Sequence, residues 1–351
     1  MCVEDRAWMD AREFEDAVAT TNLLPGPAST QLAIYCAWRL SGMAGAILGG
    51  LCFIVPGLAL ILVLSSVFLA RHPADWILGA AAGAGAAVPA VAMKAGWGLA
   101  PASWTRIGHT QAERVRWVLY ALLGATVAAM AGTYLVLVLV ACGVTEIVIR
   151  SPGRPSPGRP ARGGALAVVA HGAVAGGLGA LAWVALKVGA LSYGGGFVIV
   201  PLMQHDAVTT YHWLTGAQFL NAVALGQVTP GPVVLTVAVV GYGAAGIGGG
   251  LLATLVAFAP SFAFVLIGGR HFDQIRTNSA VGSFLTGAGP AVIGAIAGSA
   301  IPLGLSFQHL WQIPVLAGAL AWLFVAGRGV VDGLLLAGAV GVLLALAGVP
   351  A

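Results

Sequence analysis

Two Pro-Gly-Pro segments, at 25–27 and 230–232, have the residue types most able to build a binding site in this chain. Proline lacks a backbone N–H and ends a helix, glycine permits a sharp turn, and a second proline suits the first turn of the next helix. Each segment therefore predicts the start of a half-helix. The free N–H groups at such a start carry about half a positive charge and bind anions. We expect anion binding here rather than catalysis.

Polar and glycine residues near the two segments complete the candidate site. We assign substrate binding to Asn22, Pro25, Gly26, Pro27, Ser29, Thr30, Gln31, Lys187, Gly194, Gly195, Gly196, Asn221, Gln227, Thr229, Pro230, Gly231 and Pro232. The glycine run allows a third close backbone approach, and the lysine precedes it by seven residues. Three alternatives remain open: ordinary turns at Pro-Gly-Pro, helix-to-helix hydrogen bonds for the polar residues, and an interfacial position for the lysine.

No other group of residues indicates catalysis, a metal site or a cofactor. The four cysteines lack CxxC spacing, and the seven histidines include no HExxH pattern. Nucleotide-binding and nucleophile-elbow motifs are also absent from the sequence. Glu13, Glu15 and Asp16 are candidates to carry a coupling proton, although a solvated acidic loop explains them equally well. Glu146 is expected to pair with Arg150 at helical i,i+4 spacing.

The composition shows which elements must position the candidate site. Of 351 residues, 59% are apolar and only 8% are charged, against about 25% charged in soluble domains. This excludes a soluble globular enzyme, a disordered protein and a fibre, and it predicts an all-α polytopic membrane protein. The net charge of +4 does not indicate nucleic-acid binding, because the basic residues form short clusters between apolar runs.

Apolar runs separated by polar breaks predict nine membrane spans. They lie near 42–70, 77–98, 117–130, 133–149, 165–204, 246–269, 279–303, 310–326 and 330–349. The segments 13–40 and 213–244 are also apolar, but Pro-Gly-Pro interrupts each midway. Small-residue spacings such as Gly45/Gly49 allow close helix contact and a homodimer.

The chain contains an internal duplication. Trp8 to Pro27 match Trp213 to Pro232 at an offset of 205, and Gly42 and Pro56 match residues 204 positions later. We therefore divide the chain into a first repeat at 1–149, a basic Pro/Gly-rich cytoplasmic linker at 150–163 and a second repeat at 164–351. The counterpart of 187–204 would precede Met1, so the first repeat lacks its first span, through either a late start, which we favour, or a natural truncation.

Charge predicts how the two repeats are oriented. If the linker with its four arginines is cytoplasmic, the loops with Arg106 and Arg328 also lie inside. The loop after Arg39 lies inside, whereas its uncharged counterpart at 242–244 lies outside. Equivalent loops thus lie on opposite faces, which is typical of the inverted-topology repeats of secondary transporters.

Three stretches of the sequence resemble the chromate ion transporter family in its long, two-repeat form. They are LLPGPASTQLAIYCAWRLSGMAGA at 23–46, LKVGALSYGGGFVIVPLMQ at 186–204 and FLNAVALGQVTPGPVV at 219–234. The order and spacing agree over nearly the whole chain. Two departures are the absent first span and Asn22, where the family usually has glutamine.

The resemblance implies a multi-pass carrier of the bacterial inner membrane that exports chromate and confers chromate resistance. It also implies coupling to protons and competition with sulfate. We expect chromate or a sulfate-like oxyanion, membrane lipid and protons as partners. Two other hypotheses stay open: a carrier for sulfate or another oxyanion, and a non-transporting membrane sensor or assembly protein.

Overall fold

The structure, a computed structural model, describes residues 9–10, 14, 17–18, 21, 26–70, 73–108, 110–130, 134–150, 177–192, 197, 199–268 and 278–350. All regular structure in these ranges is helical, and they contain no strand. Within them, four helices are long and apolar enough to cross a membrane, and shorter apolar helices accompany these. The predicted all-α polytopic membrane protein is confirmed.

The helices are numbered in chain order. In the first half they are α1 Ala28–Phe68, α2 Asp75–Trp104, α3 Gln111–Met130 and α4 Leu135–Arg150. In the second half they are α5 Leu178–Leu191, α6 Ile199–Gln204 with a π-helical turn to Thr210, α7 Gly216–Val228, and α8 Thr236–Gly268 after a 3-10 turn at Val233–Leu235. The last four are α9 Ser279–Gly298, α10 Ala300–Leu305, α11 Gln312–Leu320 with a π-helical turn to Val325, and α12 Val330–Leu346.

Helices α1 and α8 share a sharp kink. In α1, Ser41 and Gly42 have φ/ψ of −141°/25° and 59°/−144°. In α8, Ala245 and Gly246 have −152°/32° and 62°/−154°. The same pair of conformations recurs at the predicted repeat offset, so the duplication is confirmed in the backbone. Each kink separates a half-helix, at 28–40 or 233–244, from a span.

The second Pro-Gly-Pro segment forms the tip of a re-entrant hairpin. Gly226 in α7 contacts Thr236, whereas Gly243 contacts Leu214 and Trp213. The two arms therefore run antiparallel, and the hairpin begins and ends at the same membrane face. Since the half-helix 233–244 is about 18 Å long, the tip reaches roughly the membrane centre.

Helices α5 and α6 form another hairpin rather than one span. The Lys187 Nζ lies 2.6 Å from the Asp206 Oδ2, which joins α5 to the segment that directly follows α6. The predicted span at 165–204 is therefore wrong in its described part. Apolar composition favoured a single span because it does not encode whether a chain continues or reverses at a glycine-rich break.

The spans of α1 and α8 run in opposite directions. Gly50 contacts the ring of Phe262, and Leu62 contacts Gly250, so the earlier part of one span meets the later part of the other. Because α1 and α8 are counterparts in the two repeats, this confirms the inverted topology.

The remaining spans exchange partners between the repeats. Helix α2 packs against α11 and α12, while its counterpart α9 packs against α3 and α4. In the antiparallel pair α2–α12, Gly79 contacts Gly341 and Gly83 contacts Ala337. In the parallel pair α3–α9, the contacts are Ala121–Gly294 and Ala125–Gly298. Every direction agrees with two inverted repeats that interlock.

One end of the bundle is basic. Among the described residues, the arginines near this end are Arg39, Arg106, Arg114, Arg116, Arg150 and Arg328. The described loop residues at the opposite end, including 205–215 and 306–311, contain no lysine or arginine. By the positive-inside rule we expect the basic end to be cytoplasmic. The two hairpins of the second half therefore enter from the external face.

The kink gives a direct test of the repeat geometry. We expect Gly246→Ala to lower the free energy of unfolding by about 1–3 kcal/mol, because alanine disfavours this backbone conformation. A Cβ at Gly246 would meet no atom within 4 Å, so crowding makes no contribution. The measurement is thermal unfolding of the purified protein in detergent.

Gly248→Ala is the matched control. A Cβ there also meets nothing within 4 Å, but the backbone is helical. The control should be neutral or slightly stabilising because alanine favours helix over glycine. An equal fall of the melting temperature in both variants would contradict the strain argument.

Candidate functional site

The first Pro-Gly-Pro segment lies against two parts of the second half. The Gly26 N–H donates a hydrogen bond of 2.6 Å to the Ser192 carbonyl oxygen. Gly26 also packs against the Ser261 side chain. Ser192 directly follows α5, and Ser261 lies in the span of α8. The first Pro-Gly-Pro segment thus contacts the C-terminal end of α5.

The second segment lies against the first half in a reciprocal way. The Pro230 carbonyl contacts Gly57 in the span of α1. Gly57 and Ser261 are repeat counterparts, since they follow the matched residues Pro56 and Pro260. Gly57 lies about 22 Å along the helix from the kink at Gly42, in a span of about 39 Å. The two breaks therefore lie near the membrane centre.

Both half-helices begin without a side-chain cap. Pro27 and Pro232 occupy the N-cap positions, and neither cap position contributes a side-chain hydrogen bond. The glycines before them have φ of 122° and 141°, so the two breaks share one turn geometry. Uncapped N–H groups at a helix start attract negative charge. The predicted pair of half-helix N-termini is present in the structure.

Five polar side-chain atoms around the breaks are buried and have no hydrogen-bond partner among the described residues. We call these residues the central polar cluster: Thr30, Ser192, Gln227, Thr229 and Ser261. Thr30, Ser192 and Ser261 are fully buried. An unsatisfied buried group costs about 1–3 kcal/mol, so the cluster indicates that a polar ligand or water completes these bonds.

Buried hydroxyl groups away from the breaks are satisfied. Ser65, Thr254 and Ser299 are equally buried, and each donates a hydrogen bond of 2.7–2.8 Å to a carbonyl oxygen one turn earlier in its own helix. A hydroxyl in an apolar helix can therefore find a partner locally. The unpaired atoms mark the breaks specifically.

The structure divides the predicted site residues into three groups. Those at the breaks are Gly26, Pro27, Thr30, Gln31, Gln227, Thr229, Pro230, Gly231 and Pro232, with the Gln31 amide packed over Gly26 and Ser29 exposed beside them. Asn221 and Lys187 lie elsewhere. Asn22, Pro25, Gly194, Gly195 and Gly196, like the acidic residues Glu13, Glu15 and Asp16, lie outside the described residues.

Ser192 and Ser261 were not among the site residues predicted from the sequence. The sequence did contain a signal for Ser261. The repeat aligns Pro56-Gly57 with Pro260-Ser261, so the second repeat has a serine where the first has a glycine. Ser192 stands two residues before the glycine run that was assigned to the site. Neither was recognisable as buried and unpaired without the fold.

One group of paired charged residues lies away from the central polar cluster. At the cytoplasmic end, Glu146 is buried and accepts hydrogen bonds from Arg116, Arg150 and Tyr120. The Arg150 Nε lies 2.7 Å from the Glu146 Oε1, which confirms the predicted i,i+4 pair. Within the described ranges, no group of His, Cys, Asp or Glu side chains could hold a metal ion.

Comparison with known proteins identifies relatives over most of the chain. A protein-family model described as chromate transporter matches residues 1–147 and 179–348. A chromate transport protein of Cupriavidus metallidurans is 31% identical over 86% of this chain and 75% of its own length. A probable chromate transport protein of Synechococcus elongatus is 28% identical over 88% of this chain and 78% of its own length. No solved structure matches.

Lys187 can be tested as a structural partner of Asp206. Lys187→Met leaves a partly buried carboxylate without its ammonium, so we expect a loss of about 1–3 kcal/mol in the free energy of unfolding. The double variant Lys187→Met/Asp206→Asn removes both charges and should regain most of this loss. Thermal unfolding of both variants measures the effect. A double variant no more stable than the single one would contradict the pairing.

Proposed function

This chain belongs to the chromate transporter family, and we propose that it is a secondary active transporter that exports chromate across the inner membrane. The observation that supports this best is the central polar cluster. Buried donors that have no partner among the described residues lie beside two uncapped half-helix N-termini near the membrane centre. A secondary transporter is expected to bind its substrate at this depth, between inverted repeats.

The chemistry of the cluster suits a tetrahedral dianion. Hydroxyl groups of Thr30, Ser192, Thr229 and Ser261 and the Gln227 amide can donate hydrogen bonds to oxyanion oxygens. Two helix N-termini together supply about one positive charge. None of the five cluster side chains is charged, so the anion would be bound without a fixed ion pair. Such binding permits release on either side of the membrane.

The same donors would accept sulfate. Chromate and sulfate are both tetrahedral dianions, and hydroxyl donors around a shared shape give little discrimination. Sulfate, or another oxyanion of this shape, is therefore the second candidate substrate.

We infer that transport is coupled to protons and that Asp206 is the coupling acid. Lys187 and Asp206 are the only Lys, Arg, Asp or Glu residues between positions 177 and 268, and they pair with each other in the external half of the membrane. The outward direction follows from the resistance function that the family resemblance implies.

Labelled chromate uptake into everted membrane vesicles tests the proposal. We expect uptake that depends on the protein, rises with a pH gradient and falls with excess sulfate. Uptake of sulfate but not chromate would establish the second candidate. Absence of any oxyanion uptake by folded protein would favour the sensor or assembly role and overturn the proposal.

Substitution of the unpaired threonines gives a sharper test. Thr30→Val and Thr229→Val keep the side-chain shape but remove a donor, so we expect chromate affinity to fall about 10-fold or more, as for loss of a hydrogen bond to a charged group. Neither variant should lose stability, since each removes a buried unsatisfied hydroxyl. Substrate dependence of vesicle uptake and thermal unfolding measure the two effects.

Thr254→Val is the control. Thr254 is also buried in a membrane helix, but its hydroxyl donates to the Gly250 carbonyl oxygen. We expect unchanged chromate affinity and a small loss of stability. If the control loses as much affinity as the two test variants, the hydroxyl groups at the breaks do not bind the substrate.

A further inference from the structure

A cavity of about 300 Å³ lies at the external end of the bundle, where α2, α7 and the residues before α11 meet. Its polar lining residues are Thr215, Gln218, Asn221, Gln308, His309 and Gln312. No carboxylate is among the described residues that line it. The cavity is large enough for a small hydrated oxyanion, and its lining does not repel negative charge.

The hydrogen bonds of the lining leave donors directed to a ligand. The Gln218 Oε1 accepts the Thr215 N–H at 2.9 Å, which leaves the Gln218 amide NH₂ without a partner among the described residues. Asn221 makes no side-chain hydrogen bond within the described ranges. The Gln312 Oε1 is occupied by two backbone N–H groups at 2.9 and 3.1 Å. The Gln312 NH₂ donates to the Ala82 carbonyl oxygen at 3.0 Å, so the Gln218 and Asn221 amides supply donors that a ligand can use.

One face of α7 joins this cavity to the central polar cluster. Gln218, Asn221, Leu225 and Thr229 follow the spacing i, i+3, i+7 and i+11, which places them on one side of the helix. The first two line the cavity, and Thr229 belongs to the cluster. Leu225 stands between them and is 8% exposed. Since the Thr229 hydroxyl is buried, the face is closed at Leu225.

We propose that this cavity is the external vestibule of the transport pathway: an oxyanion subsite at Gln218 and Asn221, separated from the central polar cluster by Leu225, which acts as the external gate. The proposal rests on the proposed function, whose central site it connects to the outside. The substrate class is a tetrahedral dianion.

Cysteine accessibility in right-side-out vesicles tests the vestibule. The background variant replaces the four native cysteines by serine. The reagent is a membrane-impermeant methanethiosulfonate that carries a sulfonate group. Asn221→Cys should react from outside, and sulfate or molybdate, which do not oxidise thiols, should slow the reaction several-fold relative to chloride. Thr229→Cys should be unreactive alone and reactive when combined with Leu225→Gly.

Thr209→Cys is the control, because Thr209 is exposed at the external end but is not part of the cavity. It should react at the same rate with every anion. The vestibule is overturned if Asn221→Cys stays unreactive or unprotected while the control reacts. The gate is overturned if Thr229→Cys reacts equally with and without the Leu225 substitution; Leu225→Ala replaces Leu225→Gly if the latter does not fold.

Chromate uptake by the cysteine-free parent, measured in parallel, separates this proposal from the proposed function. Uptake by the parent without anion protection of Asn221→Cys overturns only the vestibule. Absence of uptake by the folded parent overturns the proposed function, and the anion-binding role of the vestibule falls with it.

Discussion

The structure depends on one constraint: a backbone N–H or C=O group inside a membrane must find its partner within the protein. The two Pro-Gly-Pro breaks near the membrane centre would each expose such groups to lipid. The fold shields them by placing each break against another part of the chain. The Gly26 N–H bonds to the Ser192 carbonyl oxygen, and the Pro230 carbonyl lies against Gly57. Because the breaks of one repeat are covered by the span of the other, neither repeat could keep its broken helices in lipid alone.

Interlocking of the repeats follows from the same need. The backbones of two spans can approach each other closely only where the contact faces carry glycine or alanine, as in the α2–α12 and α3–α9 pairs. This explains the high glycine content, 51 residues, better than flexibility does. The exchange of partners between repeats also brings each Pro-Gly-Pro break against the span of the other repeat, near one centre. On the proposed function, this arrangement allows the centre to open to either face by small movements of one repeat against the other.

Much of this architecture could be predicted from the sequence because local sequence features indicate it. Hydropathy located the long spans, and the Pro-Gly-Pro offset revealed the duplication, whose matched glycines Gly42 and Gly246 both lie at kinks in the structure. The sequence did not predict the reversal between α5 and α6, because the Lys187–Asp206 pair that reveals it joins residues 19 positions apart in the chain. It also did not single out Ser192 and Ser261. A buried serine indicates a binding site only when its hydroxyl lacks a hydrogen-bond partner, and that depends on tertiary contacts.

The backbone of the site is nearly two-fold symmetric, but its side chains are not. The repeat counterparts of Thr30, Thr229 and Ser261 are Leu235, Leu24 and Gly57, none of which has a polar side chain. The first break is therefore surrounded by the hydroxyls of Thr30, Ser192 and Ser261, while Gln227 and Thr229 approach from the external hairpin. The two helix N-termini are arranged symmetrically and supply equal charge from both faces. The side-chain donors are not symmetric, because three surround the first break and only two approach from the external hairpin. On the proposed function, this inequality gives an anion a most favourable position near Gly26 and a graded path toward α7, which a fully symmetric site could not provide.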